Sequence, residues 1–127
     1  MQLVGIVATL ALLQYTFFLL WAGRSRGRHG IPAPAITGHP DFERHLRIQQ
    51  NTIEQLIIFL PGLFLFAHFV SENWAAALGG VFIVGRALYA HAYAVDPARR
   101  GPGFMLTLAS NLILTVGALA GAAISLF

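Results

Sequence analysis

Arg44, Arg47, Asn51 and Glu54 stand three, four and three residues apart in the stretch DFERHLRIQQNTIEQ, residues 41–55, which passes without a break into an apolar run. At roughly 100° per residue, this spacing puts all four within about 80° of one helix face. Arg86, Tyr89 and Tyr93 form a second set at offsets of zero, three and seven, within about 60° of arc. Arginines, one carboxylate, a carboxamide and two phenols suit a small polar anion. Guanidinium groups clamp carboxylates through paired hydrogen bonds, and Glu54 can receive a ligand ammonium. A zwitterionic peptide satisfies the whole set. An arginine beside a ligand thiol would also lower its pKa from about 8.5 and enrich the thiolate, which is the actual nucleophile.

The segments that must position these groups are membrane spans. The chain has 127 residues, 57% of them hydrophobic and 10% charged, with mean hydropathy +0.69. At about 20 residues per span, that length accommodates four transmembrane helices and little else. The expected fold is therefore an all-α, up-down-up-down four-helix bundle forming one membrane domain over 1–127. Lipid cannot solvate a guanidinium or a carboxylate, so both polar stripes must face other helices or a watery cavity, where ionisable groups are candidates for function. Cysteine is absent, which excludes disulfides, thiolate metal sites and a cysteine nucleophile from the protein itself. All eight basic residues are arginine and the net charge is +3, but they lie at span ends rather than in a basic patch with interleaved aromatics, so nucleic acid is a poor partner.

Helix 1 is expected over 1–23, retained rather than cleaved, because it lacks a basic start and a small-residue cleavage site. Residues 24–40, RSRGRHGIPAPAITGHP, read as a Gly- and Pro-rich surface loop, long enough to carry function. Helix 2 is expected over 41–71, capped by Asp41 with Glu43 in its first turn and kinked at Pro61. A polar turn at 71–73 leads to helix 3 over 74–95, which ends at Asp96-Pro97. Helix 4 is expected over 104–127, with Thr107, Asn111 and Thr115 along one face and a small-residue run, GALAGAA, for close packing. Every arginine lies in or near the loops after helices 1 and 3. The positive-inside rule then puts those loops in the cytoplasm. Both stripes approach that side, so Arg26, Arg47, Arg86, Arg100, Asn51, Glu54, Tyr89 and Tyr93 are expected to converge at one depth.

The segments FERHLRIQQNTIEQ, RALYAHAYA and DPARRGPG, together with the spacing of the four apolar runs, resemble the MAPEG family of membrane-associated proteins in eicosanoid and glutathione metabolism. The resemblance covers nearly the whole chain. It implies a homotrimer of four-helix subunits with glutathione as co-substrate, bound between neighbouring subunits near the cytosolic side. By motif position it assigns Arg26, Arg47, Gln49, Asn51, Glu54, Tyr89 and Tyr93 to glutathione binding and Arg100 to stabilising the thiolate. Gln55 stands where the leukotriene C synthase branch has tyrosine, and Pro61 is displaced from that branch's proline. The wording NTIEQ looks more like the bacterial-type microsomal glutathione transferases.

The resemblance therefore implies a membrane-bound glutathione transferase acting on hydrophobic electrophiles, with glutathione-dependent peroxidase activity as a side reaction on lipid hydroperoxides. The alternative is a non-catalytic lipid-binding or scaffold protein of the same family. Plainer roles exist for single residues: helix 2 polar groups as interhelical hydrogen bonds, Arg99 and Arg100 as topology signals, Arg24 and Arg28 as headgroup contacts, and Arg86 paired with a helix 2 acid. The five histidines show no metal spacing, and no metal is expected. The lack of lysine and the excess of Ala, Gly and Arg point to a GC-rich bacterial genome, hence to a bacterial inner membrane.

Overall fold

The computed structural model describes residues 1–127 as four long helices without any strand. They are α1 (Gln2–Arg28), α2 (Pro40–Phe69), α3 (Glu72–Val95) and α4 (Gly101–Ile124), with a 3-10 turn at Pro97–Arg99 before α4. Each is long and apolar enough to span a membrane. Their outward faces carry large apolar side chains such as Leu13, Phe17, Leu20, Ile57 and Leu119, all well exposed. Water would not tolerate that surface, whereas lipid is its natural solvent.

The helix ends depart from the sequence reading in ways local chemistry explains. α1 continues through the stretch read as loop, because Gly-Arg-Ser-Arg-Gly-Arg holds no proline and an isolated glycine costs only about 1 kcal/mol relative to alanine. Arg26 and Arg28 in the last turn complement the helix dipole. The connection therefore shortens to residues 29–39. α2 begins at Pro40, whose missing N–H needs no partner in a first turn. Its cap is His39 rather than Asp41: His39 Nδ1 accepts from the Asp41 amide at 3.1 Å. Glu43 accepts from the Gly38 amide at 3.2 Å. α2 then runs through Pro61 without a break. Ser71 Oγ accepts from the Trp74 amide at 3.3 Å and starts α3 at Glu72, so the expected polar turn is mostly helical. α4 begins at Gly101 because Pro102 suits its first turn.

Two packing zones stack along the bundle. The larger, around Phe59 and Phe82 with rings stacked at 3.8 Å, includes Val4, Leu63, Ala75 and Leu114. Its far end is tied by the N-terminal ammonium, 2.6 Å from Glu72. The smaller, nearer the arginine-bearing loops, gathers Phe18, Ile48, Tyr89 and Ala90. Asn111 Nδ2 donates to the Gln55 side-chain oxygen at 3.0 Å and to its carbonyl at 3.3 Å, joining α4 to α2 at mid-bundle.

Glycine sets how closely α3 and α4 cross beside the polar zone. A Cβ on Gly103 would run into the Tyr89 amide nitrogen and come within 2.7 Å of Tyr89 Cα and 2.9 Å of the Gly85 carbonyl. The GALAGAA run acts at the other end of α4, where Gly121 lies against Phe69 of α2 and Val70 that caps it.

Candidate functional site

Arg47 and Asn51 from α2, Tyr89 and Tyr93 from α3, and Arg100 and Phe104 from the start of α4 line one cleft of about 400 Å³. The volume lies within the range of about 300–1,000 Å³ usual for small-molecule sites. One helical turn separates Arg47 from Asn51, Tyr89 from Tyr93 and Arg100 from Phe104, so each helix contributes one edge of residues at spacing four. Tyr89 and Tyr93 lie nearly parallel, ring centroids 5.5 Å apart. Arg100 occupies the N-terminal cap of α4 and donates to the Pro97 carbonyl at 2.9 Å. Its neighbour Arg99 instead lies 3.9 Å from Asp96.

Arg86 forms the floor behind this cleft. It is wholly buried, and its Nη2 donates to Asn51 Oδ1 at 2.8 Å and Thr52 Oγ1 at 2.9 Å. These partners correct the expectation of a helix 2 acid: Arg86 sits opposite a carboxamide and a hydroxyl, while Glu54 is 3.7 Å from Arg47 on an exposed flank. The guanidinium lies 4.3 Å over the Tyr89 ring, a cation–π contact, and its Nε and Nη1 have no hydrogen-bond partner. Because Asn51 Oδ1 is engaged by a cation, the amide NH₂ is the end left for the cleft. Asn51 thus offers a donor. A wall holding Arg47 and Arg100, with the uncompensated charge of Arg86 behind it, focuses positive potential on the cleft and favours an anion.

The other sequence-predicted residues fall elsewhere. Glu54 reaches the cleft only through Arg47. Gln49, about 160° around α2 from Arg47 and Asn51 by helical geometry, points to α1 and donates to the Tyr15 hydroxyl at 3.3 Å. Arg26 packs over Phe42 at 4.7 Å and donates to the Ala35 carbonyl at 2.7 Å. Convergence of all eight polar residues does not occur within one chain. Arg44 reaches the last carbonyls of α3, Ala94 at 3.4 Å and Val95 at 3.5 Å, where that helix has no basic residue of its own. Thr52, Phe104 and the Gly85–Gly103 crossing were missed from sequence. Phe104, one turn beyond Arg100, had a readable signal.

The histidines hold one arrangement that spacing did not foresee. Donor atoms of His29, His39 and Asp41 lie within 4.8 Å of one another. The two imidazoles are stacked at 3.7 Å with planes 12° apart, and His39 Nδ1 is already used by the Asp41 amide. Stacked rings direct their in-plane lone pairs side by side rather than towards a common centre, a poor arrangement for tetrahedral ligation.

The model of the MAPEG family matches residues 4–120 of the chain. An uncharacterized protein of Synechocystis is 46% identical over 115 residues, covering 91% of this chain and 84% of that protein. Human microsomal glutathione S-transferase 2 is 36% identical over 114 residues, covering 90% and 78% respectively. Bovine leukotriene C4 synthase is 31% identical over 118 residues, covering 92% and 79%. A family match from the middle of α1's first turn to the last turns of α4, on a bundle of four membrane-spanning helices, identifies this chain as a member of the MAPEG family.

Proposed function

We propose that this protein is a membrane-bound glutathione transferase that activates the glutathione thiol for attack on hydrophobic electrophiles. The observation that carries the reading is the shared cleft of Arg47, Asn51, Tyr89, Tyr93 and Arg100. The donor set fits a tripeptide with two carboxylates: Arg47 as a carboxylate clamp, the Asn51 NH₂ and the tyrosine hydroxyls as single donors, and Glu54 as partner for the ammonium. Arg100 is assigned to the thiolate. Its positive charge favours loss of the thiol proton to water, and the sulfur lone pair then forms the S–C bond as the electrophile's leaving group departs. Phe104 supplies the apolar edge through which an electrophile enters from lipid. Attack of the same thiolate on a lipid hydroperoxide, followed by a second glutathione, gives the peroxidase reaction, with alcohol, water and glutathione disulfide as products.

Oligomerisation belongs to the same reading. Arg47 and Glu54 are 50% and 59% exposed on a helix whose neighbours Ile53, Ile57 and Ile58 face outward. Lipid cannot solvate such a pair, so a protein surface should cover it. Arg26 and Gln49 lie outside the cleft, turned to Ala35 and Tyr15, and a homotrimer would bring them to the cleft of the adjacent copy. The arginine-bearing loops are assigned to the cytoplasmic side of a bacterial inner membrane.

The test is ultraviolet thiolate absorbance on adding glutathione to the detergent-purified protein, with calorimetric binding alongside, for the native chain and Arg100→Ala. A thiolate signal that the variant loses while still binding glutathione is the expected result. Absence of both signal and binding in the native chain overturns the reading and favours a non-catalytic lipid-binding member.

A further inference from the structure

On the edge of α1 away from Arg26 there is a second polar cavity, which the proposed glutathione site does not use. It measures about 250 Å³ and is walled by Trp21, Arg24, Ser25, Arg28 and His29 of the α1 end and by Asp41 and His45 of the α2 start. Two of its polar atoms are buried without any partner: Ser25 Oγ, on a residue only 5% exposed, and His45 Nδ1. Most buried hydroxyls find a partner within the protein, so an orphaned one on the wall of a cavity calls for an occupant. Arg24 and Arg28, one turn apart, outweigh Asp41 in charge, which makes that occupant an anion.

The surroundings identify its kind. Leu13, Phe17 and Leu20, all exposed, share one face of α1 with Arg24 and Arg28, within about 80° of arc. Trp21 lies tilted against His45, ring centroids 4.2 Å apart, and 5.9 Å from Phe17, an aromatic step between the apolar stripe and the cavity. An acyl chain can therefore lie along the stripe while its headgroup enters among the arginines. Arginine forks match phosphate oxygens, and tryptophan favours the headgroup level. We propose that this cavity is a specific site for the phosphate of an anionic membrane lipid. Arg24 and Arg28 clamp the phosphate and Ser25 donates its hydroxyl. Arg26 points about 160° away from both arginines by helical geometry, so this site and the glutathione site are separate on α1.

The buried serine distinguishes a built site from general attraction of arginines to an acidic bilayer. The full chain, purified in detergent, is titrated with phosphatidylglycerol, with phosphatidylcholine and with inorganic phosphate, and bound lipid is counted by native mass spectrometry. Expected is one tightly held phosphatidylglycerol per chain, preferred over phosphatidylcholine. Ser25→Ala, Arg24→Gln and Arg28→Gln should each weaken it roughly tenfold, the effect of one hydrogen bond to a charged group. Arg99→Gln, which removes an exposed loop arginine outside the cavity, should leave it unchanged. Circular dichroism and thermal melting of Ser25→Ala, a near-isosteric change, show that the fold is kept. Equal losses in Arg99→Gln, or no loss in Ser25→Ala, overturn the proposal in favour of diffuse attraction. Inorganic phosphate competing as well as the lipid overturns the lipid assignment in favour of a soluble phosphate compound.

Discussion

Replacing Gly103 with alanine tests whether the α3–α4 crossing sets the geometry of the cleft. The added Cβ would stand 2.7 Å from Tyr89 Cα and closer still to the Tyr89 amide nitrogen. Ordinary contact begins at about 3.4 Å, so the two backbones must separate by at least 0.7 Å, the difference between 3.4 and 2.7 Å. No side-chain rotation can relieve this, because the opposing atoms are backbone. Overpacking of this kind costs about 1–3 kcal/mol of stability. Its functional effect should be larger. Arg100 caps α4 and Tyr89 lies on α3, so the separation widens the cleft between Arg100, proposed above to stabilise the thiolate, and the tyrosines proposed to hold the peptide. A misplacement near 1 Å can cost about a hundredfold in rate. The assay is kcat/KM with a hydrophobic electrophile and glutathione, beside the thermal midpoint in detergent. A fall of about ten- to a hundredfold in kcat/KM with a melting transition that remains cooperative is expected. Native activity and an unchanged midpoint would refute the argument, because the helices would then have room that the crossing denies them.

Other outcomes follow from the same geometry. Arg86→Met should lower thermal stability by about 1–3 kcal/mol, because it leaves the buried Asn51 Oδ1 and Thr52 Oγ1 without their donor. It frees the Asn51 amide to turn, so calorimetry should find glutathione affinity at least tenfold weaker. Asn111→Leu breaks the α4 bonds to Gln55 and should lower stability by about 0.6–2 kcal/mol, measured by unfolding in mixed micelles, with the cleft chemistry intact. Co-expressing Arg26→Ala and Arg100→Ala chains should restore part of the activity that each homo-oligomer lacks. In the trimer proposed above, some mixed sites would draw Arg100 from one chain and Arg26 from its neighbour. No restoration would mean that both residues serve the same chain's site.

The sequence by itself determined the class and the ingredients. Four apolar runs in 127 residues leave no architecture other than a membrane bundle, since each span must satisfy its own backbone hydrogen bonds. Helical periodicity alone put Arg47 beside Asn51 and Tyr89 beside Tyr93, because residues three or four apart share a face whatever the tertiary context. Helix ends were less legible. The extension of α1 to Arg28 and the early starts of α2 and α4 depend on balances of about 1 kcal/mol between glycine, proline and capping groups. Only the tertiary structure decided which helix faces meet. Local sequence could not foresee that Arg86 would take Asn51 and Thr52 instead of a carboxylate, since that choice depends on the register between α2 and α3. Nor could it separate Arg26 and Gln49 from the cleft that holds Arg100. That division follows from the rotation of α1 and α2 about their own axes, which turns Arg26 to the Ala35 carbonyl and Gln49 to the Tyr15 hydroxyl instead of to the cleft.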